Sequence, residues 1–343
     1  MTMAKEEAII PTRSDWLGKR KEAALHPELA IVDSHHHLWS RGGEAYLLPE
    51  FLEDTTSGHR IVATVYMECH SNYRTGGMEH LQPVGEVEYA CKIAEESEKR
   101  PGSTRVCAGI VGSTDLRQGD HLQEVLEAMV AAGRGRFRGI RQIAAWHPDP
   151  SVKGTVFSPP PGLLLDPGLR RGMKVLAAKG LSFETWALHT QLIELYDLAS
   201  ACPDVAIVMN HAGGAIGMGL YAGRRDLAFA EWRSAIQTLA KAPNVFAKIG
   251  GFGMRVWGFG FHQQPLPPSS EELAVALRPY VETCVEAFGP ARCMFESNFP
   301  PDKGSFSYVN LWNAYKRIMA KCSADEQRWL FRGTAEHVYH LGT

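Results

Sequence analysis

The feature that most constrains the fold is a regular alternation of short apolar runs with segments of helical periodicity. Eight runs rich in β-branched or apolar residues predict strands over 30–34, 60–68, 105–112, 138–143, 181–186, 205–210, 245–249 and 292–297. Apolar residues recur at helical spacing over 84–99, 122–132, 169–178, 192–201, 228–239, 273–288, 308–320 and 324–340. Because parallel strands need crossover helices, this order predicts an α/β fold, a (β/α)₈ TIM barrel. A doubly wound open sheet is the competing architecture.

The regions around this alternation suggest one domain with an N-terminal addition. Ser14 precedes Asp15 and Trp16 as a helix N-cap would, which predicts an added helix over 14–25. We therefore expect an extension over 1–28 and a single barrel domain over 29–343. Two long connections, 146–167 and 250–270, each follow a strand. On a barrel both lie at the C-terminal face, so we expect them to wall or lid the pocket.

Charge and cysteine content exclude several classes of partner. The chain has 36 basic and 38 acidic side chains, a formal net charge of −2, which gives no electrostatic basis for binding nucleic acid or an anionic membrane. Its seven cysteines include no C-x-x-C pair, which favours buried, reduced thiols in a cytoplasmic protein. Neither an apolar leader nor a membrane-length apolar run is present. We expect a small-molecule substrate, and the oligomeric state stays open, a homodimer included.

Histidines at strand ends carry the main chemical signal. The first strand ends in Asp-Ser-His-His-His over 33–37, and strand alternation places Asp33, His35 and His37 on one face and His36 on the other. Two imidazoles at that spacing can hold one metal ion or one substrate oxygen, although a polar strand end is the alternative. His211 closes the sixth strand in the same manner, with a helix N-cap or a hydrogen-bonded loop residue as its alternative. Histidines at the ends of two barrel strands would share one cavity.

These motifs resemble a known family. They are Val-Asp-Ser-His-His-His-Leu-Trp at 32–39, Phe-Arg-Gly-Ile-Arg at 137–141, Met-Asn-His-Ala-Gly-Gly at 209–214, Asn-Val-Phe-Ala-Lys-Ile-Gly-Gly at 244–251 and Met-Phe-Glu-Ser-Asn-Phe-Pro at 294–300. Together they are similar to amidohydrolase family 2, in the lactonase-like branch that includes sugar-lactone and 2-pyrone-4,6-dicarboxylate hydrolases. The resemblance implies a distorted TIM barrel in which His35, His37 and His211 are the catalytic or metal-binding histidines. It also implies that Arg141 binds an anionic or carbonyl oxygen of the substrate, with a structural ion pair as the alternative.

One position departs from the family pattern. Where the family usually has an aspartate that acts as base or metal ligand, this chain has Asn298, whose neutral amide cannot take a proton. A carboxylate, Glu296, stands two residues earlier and on the same strand face. We hypothesise that the carboxylate has moved to Glu296. The alternative is a buried structural pair between Glu296 and Lys248.

Five further residues near strand ends are candidates for the substrate side of the site. Glu68 and Glu184 are alternative carboxylates for the base or a fourth metal ligand, and His189 is a weaker candidate on a loop or helix start. The aromatic residues of the two long connections favour a flat or apolar-faced ligand, with packing as the alternative; they are Trp146, Phe157, Phe252, Trp257, Phe259 and Phe261. The five substrate-binding candidates besides Arg141 are Glu68, Glu184, Trp186, His189 and Trp146.

The predicted chemistry is hydrolysis of a small cyclic ester, a lactone, in catabolism. The histidines would polarise the carbonyl directly or through one divalent metal ion, of which zinc is the first choice, and catalysis without a metal remains compatible. The resemblance also implies that a two-metal site would need a lysine on the fourth strand, and 138–142 contains none. Two alternatives stay open: a non-oxidative decarboxylase of an aromatic or enol acid, and a degenerate barrel that binds a ligand without turnover.

Overall fold

The barrel is formed by eight parallel strands. The computed structural model describes residues 9–41, 43–100 and 104–342. The strands are β1 (Ala30–His36), β2 (Arg60–Met67), β3 (Arg105–Gly112), β4 (Phe137–Arg141), β5 (Ser182–Thr185), β6 (Ile207–Met209), β7 (Val245–Ile249) and β8 (Cys293–Phe295). Each strand pairs with the next one along the chain, and a single bridge between His36 and Phe299 joins the end of the series to β1. The predicted TIM barrel is confirmed, and the open doubly wound sheet is wrong because its strand order would depart from chain order.

Helices fill the connections between the strands. They are α1 (Ser14–Leu17), α2 (Leu48–Thr55), α3 (Val84–Glu98), α4 (His121–Ala132), α5 (Pro167–Ala178), α6 (Leu192–Ala201), α7 (Arg225–Leu239), α8 (Ser270–Phe288), α9 (Tyr308–Ile318), α10 (Ala324–Arg328) and α11 (Thr334–Tyr339). Serines at N-cap positions accept backbone N–H groups at the starts of α8, α9 and α10. Shorter helical turns are Glu79–Leu81, Leu163–Leu165, His189–Gln191, His211–Gly213, Gly219–Tyr221, Arg255–Trp257, Phe261–Gln263, Pro290–Arg292, Pro301–Gly304 and the π-helical Trp329–Gly333.

The N-terminal segment contains less helix than the sequence predicts. The expected helix over 14–25 is wrong beyond its first turn, because α1 ends before Gly18 and no side chain caps its start. Tertiary contacts replace the missing turns: Glu22 accepts the backbone N–H of Ser270 at 2.7 Å, and the N–H of Leu25 donates to Asn313 at 2.7 Å. Residues 1–8 of the predicted extension lie outside the described residues.

The connection between β1 and β2 contains structure that the sequence reasoning missed. Two antiparallel strands, Trp39–Arg41 and Glu44–Tyr46, form a small second sheet, and α2 follows them. Strands of three residues are too short to show a period of two. The signal for α2 was present, since Pro49 stands in its first turn and its buried residues recur at helical spacing.

The hydrophobic core has two parts, one on each side of the barrel sheet. The larger cluster lies mostly between the strands and the surrounding helices. A smaller cluster joins residues of five strands, among them Val32, Val65 and Met294, to Tyr339 of α11, so the C-terminal helix packs against the barrel interior. All seven cysteines are free thiols, and all but Cys322 are buried, as predicted. Within the described ranges, no helix combines the length and apolar character needed to cross a bilayer.

Candidate active site

The predicted histidines, arginine and asparagine meet at the C-terminal end of the barrel. His37, Arg141, His211, Asn298 and Trp186 all line one pocket. Among the described residues, the lining consists of Ile9, His37, Trp39, Arg41, Cys69, Arg141, Ile143, Lys153, Gly154, Thr155, Val156, Phe157, Trp186, His211, Met254, Arg255, Val256, Asn298 and Pro301. Both long loops contribute, through 153–157 and 254–256, which confirms that they wall the pocket.

A register shift at the end of β1 decides which side chains reach the pocket. The pairing of β1 with β2 shifts between Asp33 and His36, so simple alternation fails there. The expectation that Asp33 shares a face with His35 and His37 is therefore wrong. Asp33 instead accepts hydrogen bonds from the hydroxyl of Tyr308 (2.9 Å) and the backbone N–H of Ser297 (2.9 Å), on the helix side of the sheet.

His35 and His37 lie side by side, with their Nε2 atoms 3.1 Å apart. The Nδ1–H of His37 donates to the carbonyl of Met67 at 2.9 Å, since a carbonyl can only accept. Neutral His37 therefore has a lone pair on Nε2. His36 points away from this pair, where it stacks on Phe51 and contacts Thr64.

Glu296 lies behind the histidines and contacts two of them. Its Oε1 accepts the Nδ1–H of His211 at 2.6 Å and the backbone N–H of His211 at 3.1 Å. Its Oε2 is 2.8 Å from Nδ1 of His35. Glu296 and His35 are fully buried, and His211 is nearly so. The predicted carboxylate is thus beside the histidines, but it does not line the pocket itself.

Two glycines after β7 make room for this arrangement. A Cβ on Gly250 would come within 2.3 Å of Cγ of Glu296, and one on Gly251 would come within 2.6 Å of Cβ of His211. Gly251 also has φ +69°, a conformation that favours glycine. The Gly-Gly pair is therefore required for Glu296 and His211 to approach each other.

His35 has one proton for two close neighbours when its ring is neutral. Its Nε2 is 3.1 Å from Nε2 of His37, and its Nδ1 is 2.8 Å from Oε2 of Glu296. Burial, with the nearby cations Lys248 and Arg141 among the further causes, lowers the pKa of His35 well below its usual value, which favours the neutral ring. Its Nδ1 and the Oε2 of Glu296 are buried, 2.8 Å apart and poorly aligned for a hydrogen bond. Two nitrogens and a carboxylate are donors that a divalent ion accepts, and ligand atoms of His35, His211 and Glu296 all lie within 4.8 Å of one another. These residues therefore fit a single metal ion.

The metal-capable group differs from the one expected. The three histidines predicted as ligands were His35, His37 and His211, whereas the group that the described structure brings together contains Glu296 in place of His37. His37 contacts only His35 within this cluster, through Nε2. The carboxylate is consequently nearer to the metal-capable atoms than the second histidine of the H-x-H pair.

Arg141 joins the histidines to Glu68. Its Nε donates to Oε1 of Glu68 at 2.7 Å, its Nη2 donates to the backbone carbonyl of Glu68 at 2.6 Å, and its Nη1 is 3.3 Å from Nε2 of His35. The ion pair fixes the guanidinium at the pocket wall, where two of its five N–H groups are still available to a ligand. Glu68 is fully buried and lies behind Arg141.

Asn298 occupies the pocket with a fixed amide. Its Nδ2–H donates to Oδ1 of Asp302 at 2.9 Å, while the other oxygen of Asp302 accepts the backbone N–H of Gly253 at 2.9 Å. Burial raises the pKa of Asp302 well above its usual value. Asn298 also has φ 53°, which asparagine adopts more readily than most residues. The position therefore presents a neutral polar group to the pocket.

Glu184, a predicted substrate-side residue, does not line the pocket. Glu184 is buried in the barrel, where it accepts hydrogen bonds from Lys248 (2.8 Å), Asn210 (2.8 Å) and Tyr339 (2.5 Å). Because Glu184 is the partner of Lys248, the alternative pairing of Lys248 with Glu296 is wrong.

The two remaining predicted substrate contacts, His189 and Trp146, are outside the pocket lining. His189 is buried and accepts the backbone N–H of Ile216 at 3.3 Å, and half-buried Trp146 donates its backbone N–H to Gln191 at 3.0 Å. By contrast, Trp186 packs its ring against His211, with centroids 4.9 Å apart.

Among the pocket residues that the sequence reasoning did not single out are three cations and one residue of the N-terminal segment. Arg41 ends the first strand of the small sheet, Lys153 and Arg255 lie in the two long connections, and Ile9 comes from the N-terminal segment. The conformation of a connection decides which of many surface cations face a cavity, so no local pattern marked the three basic residues. Ile9 precedes the barrel by some twenty residues and reaches the pocket through tertiary packing.

The geometry agrees with the comparison to known proteins. A family model described as amidohydrolase matches residues 32–341. The chain therefore belongs to this amidohydrolase family, as the motifs predicted, and the expected class of amidohydrolase-related hydrolases is confirmed.

Particular relatives extend over nearly the whole chain. It is 32% identical over 339 residues to the uncharacterised protein y4mH of Sinorhizobium fredii, covering 92% of this chain and 99% of the relative. It is 26% identical to an L-fucono-1,5-lactonase of Burkholderia multivorans, covering 90% of this chain and 96% of that enzyme. A zinc-bound amidohydrolase from Burkholderia multivorans has the same fold, with a TM-score of 0.68 at 23% identity over 91% of this chain and 99% of that one.

Proposed function

We propose that the chain hydrolyses a small lactone, with His211 as the general base and Glu296 as the carboxylate that orients and charges it. The observation that carries this proposal is the 2.6 Å contact between Nδ1 of His211 and Oε1 of Glu296. It is supported by the lactonase named among the relatives. This assignment differs from the sequence hypothesis, in which Glu296 itself took the proton from water.

The tautomer of His211 follows from its partner. A carboxylate accepts the proton on Nδ1, so the lone pair of neutral His211 is on Nε2, the ring nitrogen available to the pocket. That nitrogen removes a proton from the attacking water, and the negative charge of Glu296 stabilises the imidazolium that forms. The imidazolium then returns the proton to the alkoxide that leaves when the ring opens.

The remaining pocket residues stabilise the reacting carbonyl. Arg141 directs a guanidinium into the pocket, where its free N–H groups can donate to the oxyanion of the tetrahedral intermediate. Asn298 cannot replace a base, but its fixed amide offers a carbonyl oxygen that orients a water molecule or a substrate hydroxyl. Glu68 acts on Arg141 by holding the guanidinium in position.

A divalent ion would occupy the same residues in place of the base arrangement, because a metal-bound His211 has no lone pair left to take a proton. The residues that would hold it are His35, His211 and Glu296, and zinc matches this set of donors. Bound there, the ion would supply Lewis-acid polarisation of the substrate carbonyl. We further propose a catabolic enzyme of the cytoplasm that acts on a small molecule and requires no nucleic acid or membrane.

A substrate panel tests this function. Purified protein, with and without added Zn²⁺, is incubated with sugar 1,4- and 1,5-lactones, 2-pyrone carboxylates and aryl acids, while a pH-stat records acid release and a CO₂ electrode records decarboxylation. We expect stoichiometric acid release from at least one lactone and no CO₂ from aryl acids. CO₂ evolution would support the decarboxylase instead, and binding without turnover would support the degenerate barrel.

A further inference from the structure

The pocket contains an unusual concentration of positive charge. Four cationic side chains line it, namely Arg41, Arg141, Lys153 and Arg255. Within the described part of the chain, the lining includes no aspartate or glutamate. Since the whole chain has a formal net charge of −2, the positive charge is a local property of this cavity.

The protein itself neutralises only part of this charge. Arg141 is paired with Glu68 at 2.7 Å. Arg41 lies over the ring of Trp39, 4.8 Å from the ring centroid, and Nη1 of Arg255 is 3.3 Å from Nε2 of His262. Neither of these two arginines forms an ion pair with a described carboxylate, and the buried Nε of Arg255 has no hydrogen-bond partner among the described residues. Two pocket arginines without a described carboxylate partner leave N–H donors that an anionic ligand can pair with.

The three cations other than Arg141 come from three separate connections between barrel strands. Arg41 follows β1, Lys153 lies in the connection after β4, and Arg255 lies in the connection after β7. Apolar and aromatic side chains form the wall between them, including Phe157 and Met254. Low-polarity walls strengthen the attraction between a cation and a bound anion.

We infer that the substrate carries an anionic group separate from the ester that is cleaved, held by Arg255, Arg41 and Lys153. This inference rests on the proposed function and specifies its substrate class as a carboxylated lactone with a flat or apolar ring. Arg141 and the histidines act on the carbonyl, while the other three cations bind the carboxylate. Neutral sugar lactones lack the group that these cations recognise.

A binding experiment tests the anion site without turnover. Isophthalate and its uncharged analogue isophthalamide are titrated by isothermal calorimetry into the wild type and into Arg255→Gln, Arg41→Met and Arg233→Gln variants. Arg233 is an exposed arginine on α7 and serves as the matched control. We expect isophthalate to bind at least about tenfold more tightly than isophthalamide, and Arg255→Gln and Arg41→Met each to weaken isophthalate alone by about tenfold. Equal binding of the two probes, or no loss in either variant, overturns the inference.

A kinetic experiment separates this inference from the proposed function. The paired substrates are 5-oxotetrahydrofuran-2-carboxylate and γ-valerolactone, which differ by a carboxylate in place of a methyl group. We expect kcat/KM to be higher for the carboxylate by about tenfold, with the difference abolished by Arg255→Gln. Equal hydrolysis of both overturns the substrate class but leaves lactone hydrolysis intact. Hydrolysis of neither, with tight isophthalate binding, contradicts the proposed reaction and leaves the anion site standing.

Discussion

Replacing Glu296 by glutamine isolates the role of its charge. The substitution Glu296→Gln preserves the size of the side chain and its ability to accept the Nδ1–H of His211. In the native protein this nitrogen is 2.6 Å from Oε1 of Glu296. What it removes is the negative charge that stabilises the imidazolium formed during proton transfer. The amide also brings N–H donors towards His35, whose Nδ1 is 2.8 Å from the present Oε2.

The expected loss can be calculated from the geometry. Opposite unit charges about 4 Å apart interact by about 4 kcal/mol at an effective dielectric constant of about 20. Because each 1.36 kcal/mol changes a rate about tenfold, kcat should fall by about 10³-fold. This value agrees with the roughly 10²–10⁴-fold contribution of a positioned acid–base group. Since Glu296 is not part of the pocket lining, KM should change by less than about threefold.

The assay is acid release from the preferred lactone, with circular dichroism and a melting curve to establish that the variant folds. Glu184→Gln is the matched control, because Glu184 is an equally buried barrel carboxylate that pairs with Lys248 and lies outside the pocket. It should lower the free energy of unfolding by about 3 kcal/mol while leaving kcat within about threefold. A folded Glu296→Gln enzyme with kcat within threefold of wild type would refute the assignment of Glu296.

Three further outcomes follow. Ile9→Ala should raise KM about three- to tenfold for bulky lactones with kcat unchanged, because it removes apolar contact from the pocket wall; steady-state kinetics with unchanged KM would contradict this. Asn298→Asp should not raise kcat. The Asn298 amide is 2.9 Å from Oδ1 of buried Asp302, so a carboxyl group in its place would face a second carboxyl group and stay protonated. A large rise in acid release from this variant would mean that the native chain has lost its base. Burial, with the Lys316 ammonium, lowers the pKa of His59 from 6.5 to about 4. The unfolded state therefore binds the proton first, and lowering the pH from 7.5 to 5 should cost about 2 kcal/mol of unfolding free energy; urea titration of His59→Gln should show that much less pH dependence.

The sequence predicted the barrel and most of the pocket for physical reasons that the structure makes visible. Strand and helix periods are local properties, and strand ends in a parallel barrel meet at one face, so His35, His37, His211 and Arg141 were placed together without coordinates. The ion-pair partners of buried residues were harder to predict from the sequence. Which of two inward carboxylates accepts Lys248 depends on the depth of each strand, and it is Glu184 rather than Glu296.

Departures from regular geometry account for the other differences. The register shift in β1 turned Asp33 towards Tyr308, and no residue pattern at 33–37 announces that shift. The N-terminal chain follows tertiary hydrogen bonds to α8 and α9 instead of continuing as a helix. Ile9 and the three cations other than Arg141 reach the pocket by long-range packing, which a local reading of the chain does not encode.

The most direct test of the account is the position of the proton on the imidazole of His211. Two-dimensional ¹H–¹⁵N NMR of histidine-labelled protein at pH 7.5, with His211→Gln to assign the signal, distinguishes the two neutral tautomers. A proton on Nδ1 and a bare Nε2 are predicted for His211. A proton on Nε2 in the wild type would leave the ring without a lone pair towards the pocket and would contradict its role as the base.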